Sequence, residues 1–133
     1  MDDDTIIIGG YQIMNVISLS KNVILAQIKI PFDCYGIKII EEKRIILVGG
    51  DSKDFVIYKS DSYEYIKTIK NAHNDNIKGF VEFKNGLIAS FSEDKTIKIW
   101  SFWIVKLIFL KNINFNLLYN ISKFNIIDFL LII

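Results

Sequence analysis

Apolar and polar residues alternate along most of the chain in short runs bounded by turn residues, a pattern typical of β-strands. The predicted strands lie within residues 5–18, 22–30, 34–40, 45–59, 63–70, 77–83 and 87–101. Predicted turns fall at Glu41–Arg44, Asp51–Asp54, Lys84–Gly86 and Glu93–Lys95. Isoleucine is abundant, which also favours strands because β-branched side chains fit a pleated surface. The pattern predicts an all-β fold with little helix before residue 110.

The alternation repeats along the chain. "LIASFSEDKTIKIWS" (87–101) aligns without a gap on "IILVGGDSKDFVIYK" (45–59), so that position 87 falls on position 45. Both are an apolar strand, a turn of small and acidic residues, and a second strand that ends in Ile and an aromatic residue. "TIIIGGYQIMNVIS" (5–18) has the same shape, and its pair Gly9–Gly10 stands in the place of Gly49–Gly50. A period of about 40 to 45 residues predicts four-stranded units, as in the blades of a β-propeller.

Composition limits the possible partners and compartment. The 133 residues carry 16 basic and 15 acidic side chains, for a net charge of +1, so no strong field favours nucleic acid. The acidic start "MDDDTIII" does not resemble a secretory signal, and Cys34, the single cysteine, has no partner for an internal disulfide. We expect a reducing intracellular compartment, such as the cytoplasm, and a buried Cys34 that acts as a small hydrophobic residue.

Residues 72–101 resemble a WD repeat, the unit of one class of β-propellers. Ala72-His73 stands in the place of the family's Gly-His pair, and Trp100-Ser101 stands in the place of Trp-Asp. Between them, "SFSEDKTIKIW" closely matches the family's Ser-x-Ser-x-Asp-x-Thr-Ile-Lys-Ile-Trp run. The two copies upstream are degenerate. The resemblance implies an incomplete propeller of about three four-stranded antiparallel blades, near residues 5–30, 34–70 and 77–110.

The resemblance also implies a structural role for four residues of the best copy. In the family, the residues that match His73, Ser90, Asp94 and Trp100 form a hydrogen-bond relay inside one blade. Aspartate accepts from the imidazole, the other imidazole nitrogen meets the serine hydroxyl, and serine accepts from the indole N–H. In the second copy, Val48, Ser52 and Tyr58 occupy the places of serine, aspartate and tryptophan.

The rival interpretation is a serine hydrolase that uses Ser90 and His73, since catalytic triads occur in any chain order. Ser90 alternates with apolar neighbours in a predicted strand, and the chain contains no nucleophile-elbow motif, so we expect no catalytic residues. The carboxylate groups at 2–4 and 51–54 lack the spacing of a calcium loop. Gly49-Gly50 is not followed by a phosphate-binding motif. We therefore expect no metal or cofactor site.

Three blades are fewer than the four to eight of a closed propeller. The chain is therefore interpreted as a fragment or truncated product, as one that completes a ring with blades from another chain or a longer gene product, or as one whose C-terminal tail caps the open ring. Residues 1–110 form the predicted partial propeller, and residues 111–133 form a predicted irregular, apolar tail. Lys111, Lys123 and Asp128 interrupt this tail, so a membrane span is not expected.

The function predicted from these features is a non-enzymatic scaffold for protein–protein interaction. The alternatives are a non-functional truncated gene product and, more remotely, the hydrolase. The loops before the innermost strands and the tight turns emerge on one face of a strand meander. The candidate contact residues on this face are Phe32, Tyr35, Asp51, Asp75, Asn76 and Glu93.

Overall fold

Antiparallel β-sheets make up nearly all of the chain that the computed structural model describes, which is residues 4–103 and 106–114. The first sheet has three strands: β1 (Thr5–Gly10), β2 (Ile13–Ser18) and β3 (Val23–Lys29). The second has four: β4 (Cys34–Ile40), β5 (Ile45–Gly50), β6 (Phe55–Lys59) and β7 (Tyr65–Ile69). The third also has four: β8 (Ile77–Glu82), β9 (Ile88–Ser92), β10 (Thr96–Trp103) and β11 (Lys106–Asn114).

The predicted all-β architecture of about three successive blades is confirmed. Strands follow one another in chain order within each sheet, so every neighbouring pair is antiparallel. The helical content of the described residues is a single 3-10 turn at Glu41–Lys43, where a turn was predicted. The first sheet starts at a strand that aligns with the second strand of the other two.

The pairing register reproduces the repeat in the sequence. In the second sheet, Ile46 pairs with Tyr58; at the equivalent place in the third sheet, Ile88 pairs with Trp100. Two residues further along the ladder, Val48 pairs with Val56, and at the equivalent place Ser90 pairs with Lys98. Because side chains alternate across a strand, this shared register places Ser90 on the face that Val48 occupies in the second sheet, and Trp100 on the face that Tyr58 occupies.

The last strand corrects one boundary of the sequence-based interpretation. The third blade was predicted to end near residue 110 and an irregular tail to begin at 111, but β10 continues to Trp103 and β11 spans Lys106–Asn114. The ladder pairs Trp103 with Lys106 and Thr96 with Asn114, so a long β10 holds a long β11 against its whole length. Residues 111–114 are therefore strand. The rest of the predicted tail, residues 115–133, lies outside the described residues.

Two apolar layers hold the three sheets together. Met14 from the first sheet packs with residues of the second, among them Ile46, Val48 and Tyr58. On the other side of the second sheet, Phe55 contacts the rings of Phe80 and Trp100 edge-on, at centroid distances of 5.2 and 5.5 Å. β5 and the first four residues of β6 are buried and thus covered on both faces, which explains their continuous apolar runs.

The inner strands β4 and β8 approach each other closely at two glycines. A Cβ atom on Gly36 would lie 2.6 Å from the Cα of Gly79, so only glycine fits at this contact. The contact fixes the start of both inner strands, beside the loops that carry the candidate site.

Candidate functional site

The four residues predicted to form a relay come together in the third sheet. Asp94 lies in the turn between β9 and β10, and its Oδ2 is 2.9 Å from Nδ1 of His73, in the loop before β8. The other imidazole nitrogen, Nε2, is 2.7 Å from Oγ of Ser90 on β9. Trp100 on β10 donates its indole N–H to the same Ser90 oxygen at 2.8 Å. The relay therefore joins an outer turn, an inner loop and two strands.

These hydrogen bonds define one consistent set of proton positions. A carboxylate only accepts, so the neutral imidazole carries its proton on Nδ1 and donates it to Asp94. Nε2 then accepts from the Ser90 hydroxyl, whose oxygen in turn accepts from Trp100. Ser90 is 0% exposed and His73 is 1% exposed. In the described part of the chain, every buried side-chain nitrogen and oxygen has a partner.

Thr96 is a fifth member that the sequence reasoning missed. Its hydroxyl donates to Oδ1 of Asp94 at 2.6 Å and lies 3.1 Å from Nδ1 of His73. Two backbone N–H groups also donate to Asp94, those of Asn74 at 2.8 Å and Thr96 at 2.9 Å. The signal in the sequence was a threonine two residues after the aspartate, a spacing typical of a turn in which the carboxylate accepts the later N–H.

The electrostatics of the relay match this arrangement. Burial lowers the pKa of His73, and this outweighs the opposite effect of the Asp94 carboxylate. Burial acts to raise the pKa of Asp94, but hydrogen bonds from Asn74, Thr96 and His73 prevail and hold it at about 2. The pair is therefore an anionic carboxylate and a neutral imidazole near neutral pH.

The same contacts resemble a Ser-His-Asp triad in distance but differ from one in accessibility. A nucleophile must reach a substrate, whereas Ser90 is fully buried and its oxygen already accepts the Trp100 N–H. Two clefts, of about 500 and 310 Å³, open elsewhere on the described surface, and neither is lined by Ser90 or His73. The geometry therefore favours the relay over the hydrolase.

Four of the predicted contact residues lie around one cation that the sequence reasoning missed, Lys78. Its Nζ is 4.2 Å from the centre of the Tyr35 ring and 2.8 Å from Oε1 of Glu93. The amide of Asn76 donates to the other Glu93 oxygen at 2.9 Å. The hydrogen bond between Lys78 and Glu93 lowers the pKa of Glu93 and is the main cause that raises the pKa of Lys78, to which the charge of Asp51 adds a smaller contribution. We call Tyr35, Asp51, Asn76, Lys78 and Glu93 the Lys78 cluster.

Register explains why Lys78 belongs to this cluster. Tyr35 and Lys78 are the middle residues of equivalent register shifts at the start of β4 and β8, between Cys34 and Gly36 and between Ile77 and Gly79. A bulge turns the extra side chain out of the ladder. Both strands begin with two residues followed by glycine, CYG in β4 and IKG in β8, and from this repeat the position of Lys78 could have been predicted.

The structure separates the two remaining predicted contact residues. Asp75 is exposed beside the Lys78 cluster, and its carboxylate accepts from the N–H of Asn76 at 2.9 Å. Phe32 was predicted as a contact residue and is instead buried, at 5% exposure, in the layer with Met14 and Val48. The prediction for Phe32 is wrong because the loop before β4 turns this ring between the first and second sheets.

The described residues were also compared with the requirements of a metal site, a membrane span and a reactive thiol. Within residues 4–103 and 106–114, no group of three His, Cys, Asp or Glu side chains has the geometry to hold a metal ion. The same part of the chain has no helix with the length and apolar character to cross a membrane. Cys34, expected to be buried, is partly buried between the first and second sheets, and burial raises the pKa of its thiol.

The fold matches solved WD40-repeat structures. The chain superposes on the structure of U3-55K and on the crystal structure of RRP9 WD40 repeats, each with a TM-score of 0.75 and 17% sequence identity over 85% of this chain. The chain spans 36% of the length of each of those two structures. No protein-family model matches the sequence, and no curated protein matches it. The architecture is that of an incomplete WD40-type β-propeller.

Proposed function

We propose that the chain is a non-enzymatic scaffold for protein–protein interaction and that a partner protein binds the Lys78 cluster together with Asp75. The WD40-type fold supports a binding role in general. The observation that carries the proposal is the cluster itself, which combines exposed aromatic, acidic and basic groups at the starts of β4 and β8 and in the adjoining loops and turns. Nucleic acid and membrane are not the expected partners, because the net charge is only +1.

Preorganisation makes these residues suitable for specific recognition. Glu93 is held by Lys78 and Asn76, and its backbone N–H donates to the Asn76 carbonyl at 3.0 Å. Tyr35 is 47% exposed and offers a large contact area with few rotatable bonds. Side chains that are already ordered lose less entropy on binding, so more of the contact energy contributes to affinity.

The buried relay serves this face by holding the loops that carry it. His73 and Asp94 connect the loop before β8 to the turn after β9, and these two segments also carry Asn76 and Glu93. We assign the relay a structural role. The shorter span relative to the two solved WD40 structures is consistent with further blades supplied by a longer gene product or another chain.

Affinity purification with charge-reversal variants tests the proposal. The tagged chain should recover a defined partner, and Asp51→Lys with Glu93→Lys should abolish recovery while the thermal unfolding midpoint stays near that of the parent. Lys84→Glu, in the hairpin on the opposite face, is the matched control and should leave recovery unchanged. Equal recovery with all variants would contradict the assignment of this face. An active-serine probe should not label Ser90, and labelling would favour the hydrolase.

A further inference from the structure

In the part of the chain that the structure describes, the first sheet has no inner strand in the place of β4 and β8. β1 aligns with β5 and β9, and each of those pairs on its inner side with another strand, β4 or β8. Within residues 4–103 and 106–114, β1 pairs only with β2. We call the unpaired side of β1 its inner edge.

Alternation along the ladder identifies the backbone groups at this inner edge. The N–H of Leu19 donates to the carbonyl of Asp4 at 2.8 Å, which makes Asp4 and Leu19 a hydrogen-bonded pair. In an antiparallel ladder every second pair is hydrogen-bonded, and β1 and β2 pair without a register shift. The N–H and C=O groups of Thr5, Ile7 and Gly9 therefore point away from β2, towards the inner edge.

The second sheet shows how such groups are satisfied. There the N–H of Ser60 donates to the carbonyl of Arg44 at 2.9 Å, so the same alternation directs Ile45, Leu47 and Gly49 towards β4. Leu47 pairs with Lys38 of β4. The first repeat has Thr5, Ile7 and Gly9 in the places of these three residues, and they have the same requirement.

Features that usually protect an exposed strand edge are missing from β1. Its sequence, TIIIGG, contains no proline and no charged residue, and its register is regular. Beside the inner edge stands β4, whose Ile37 and Ile39 are only partly buried and belong to the same apolar layer as Ile7. A strand added to β1 would lie along these side chains, as β8 lies along β4.

We propose that the inner edge of β1 binds an extended segment of another protein, which adds as the antiparallel fourth strand of the first sheet. This surface is separate from the Lys78 cluster, so an experiment can contradict one of the two proposed binding sites without contradicting the other. β4 and β8 define the chemistry of the segment, because they occupy the equivalent place. Both have glycine as the third residue, directly after the bulge.

The residue two positions after this glycine shows which of the two strands, β4 or β8, the partner segment should resemble. In β4 it is Lys38, whose Nζ is 3.5 Å from Glu82 on the neighbouring β8. In β8 it is Val81, which packs in an apolar cluster on the far face of the third sheet. A segment on β1 presents this position to Ile37 and Ile39, so an apolar side chain fits and a lysine does not. The partner segment is therefore expected to resemble "IKGFVEF", which is β8 together with the phenylalanine that follows it.

A capped, fluorescently labelled peptide IKGFVEF tests the proposal by anisotropy on the full chain. Phe83 N–H donates to the Leu87 carbonyl at 2.9 Å, so alternation makes Val81 a hydrogen-bonding position and Phe80 one that points away. N-methylation of the peptide valine should therefore weaken binding about tenfold, from one lost hydrogen bond and a steric clash. N-methylation of the peptide phenylalanine is the matched control and should leave affinity within about twofold.

Further experiments identify which molecule binds the inner edge of β1. Replacing the peptide valine by lysine should weaken binding, and the Asp51→Lys, Glu93→Lys chain should bind the parent peptide normally. The proposal is overturned if the peptide shows no saturable binding or if both N-methyl peptides bind equally. It is also overturned if sedimentation shows a dimer that excludes the peptide, since a second copy then fills the edge. Binding only after removal of residues 115–133 would assign the edge to the chain itself.

Discussion

The second and third sheets have the same register, but equivalent positions carry apolar packing in the second sheet and polar hydrogen bonds in the third. In the third sheet, Ser90 and Trp100 belong to a polar relay; in the second, Val48 and Tyr58 occupy their places and pack in an apolar layer. Gly36 and Gly79 align the two inner strands, and this alignment places the buried Ile30 opposite His73, so the imidazole also has no counterpart. The blade fold therefore does not require the relay, but a blade that contains one buried polar member needs all of them.

One feature is common to both sheets, the turn that follows the second strand. Ser52 accepts the N–H of Asp54 at 3.0 Å, and Asp94 accepts that of Thr96 at 2.9 Å. Each side chain thus holds the tight turn through the N–H two residues on. The degenerate repeat keeps this local interaction and also the backbone bond to the inner loop, from Asp51 N–H to the Asp33 carbonyl at 2.9 Å. It loses only the side-chain contact to that loop.

The largest expected effect comes from Trp100→Ala, which removes both the relay donor and an aromatic contact. Trp100 is 5% exposed and its ring packs edge-on against Phe55. Loss of this volume should reduce the free energy of unfolding by about 3–5 kcal/mol in urea denaturation. Trp100→Phe keeps most of the packing and should cost clearly less. Similar losses for the two variants would mean that the hydrogen bond, and not packing, dominates at this position.

A smaller effect distinguishes breaking the relay from replacing it. His73→Ala removes the imidazole that accepts from the Ser90 hydroxyl and donates to Asp94, and should cost about 1–3 kcal/mol, whereas Lys95→Ala on the surface should cost little. A chain with His73→Leu, Ser90→Val, Asp94→Ser and Trp100→Tyr imitates the second sheet. Leucine is chosen at position 73 because it is apolar, like Ile30, and keeps the N–H that donates to the Lys53 carbonyl at 3.0 Å.

This fourfold variant should lose less stability than the sum of its four single substitutions, each measured by urea denaturation. The reason is that each single change removes one partner from the others, while the fourfold change replaces the four residues together. Additive losses would show that the four residues act independently, and the comparison between the two sheets would then explain nothing about the relay.

Much of this molecule could be predicted from its sequence because the repeat is local. The ungapped alignment of residues 45–59 with 87–101 already contains the register of β5 with β6 and of β9 with β10. The bounds of β4 also agree with the prediction. Features that depend on neighbouring sheets were not accessible in the same way. The burial of Phe32 depends on side chains such as Met14, far from it in sequence, and the position of Lys78 depends on a bulge.

The smallest expected effect is a pH dependence that the third sheet has and its apolar imitation lacks. Burial lowers the pKa of His73, the only histidine, below its ordinary value of 6.5. The unfolded chain then takes up a proton near pH 6.5 and the folded chain only at lower pH, so protonation favours unfolding. The stabilisation from the neutral imidazole is therefore complete above pH 6.5 and decreases as the pH falls below it.

Urea midpoints measured between pH 7 and pH 5 isolate this contribution, because carboxylates stay ionised over that range. Midpoints of the parent should decrease towards pH 5, while those of the fourfold variant should stay nearly constant. Asp94, with a pKa of about 2 against 3.8, adds a second loss only as the pH falls from about 4 towards 2. Parallel decreases in both chains between pH 7 and pH 5 would assign the acid sensitivity to groups outside the relay.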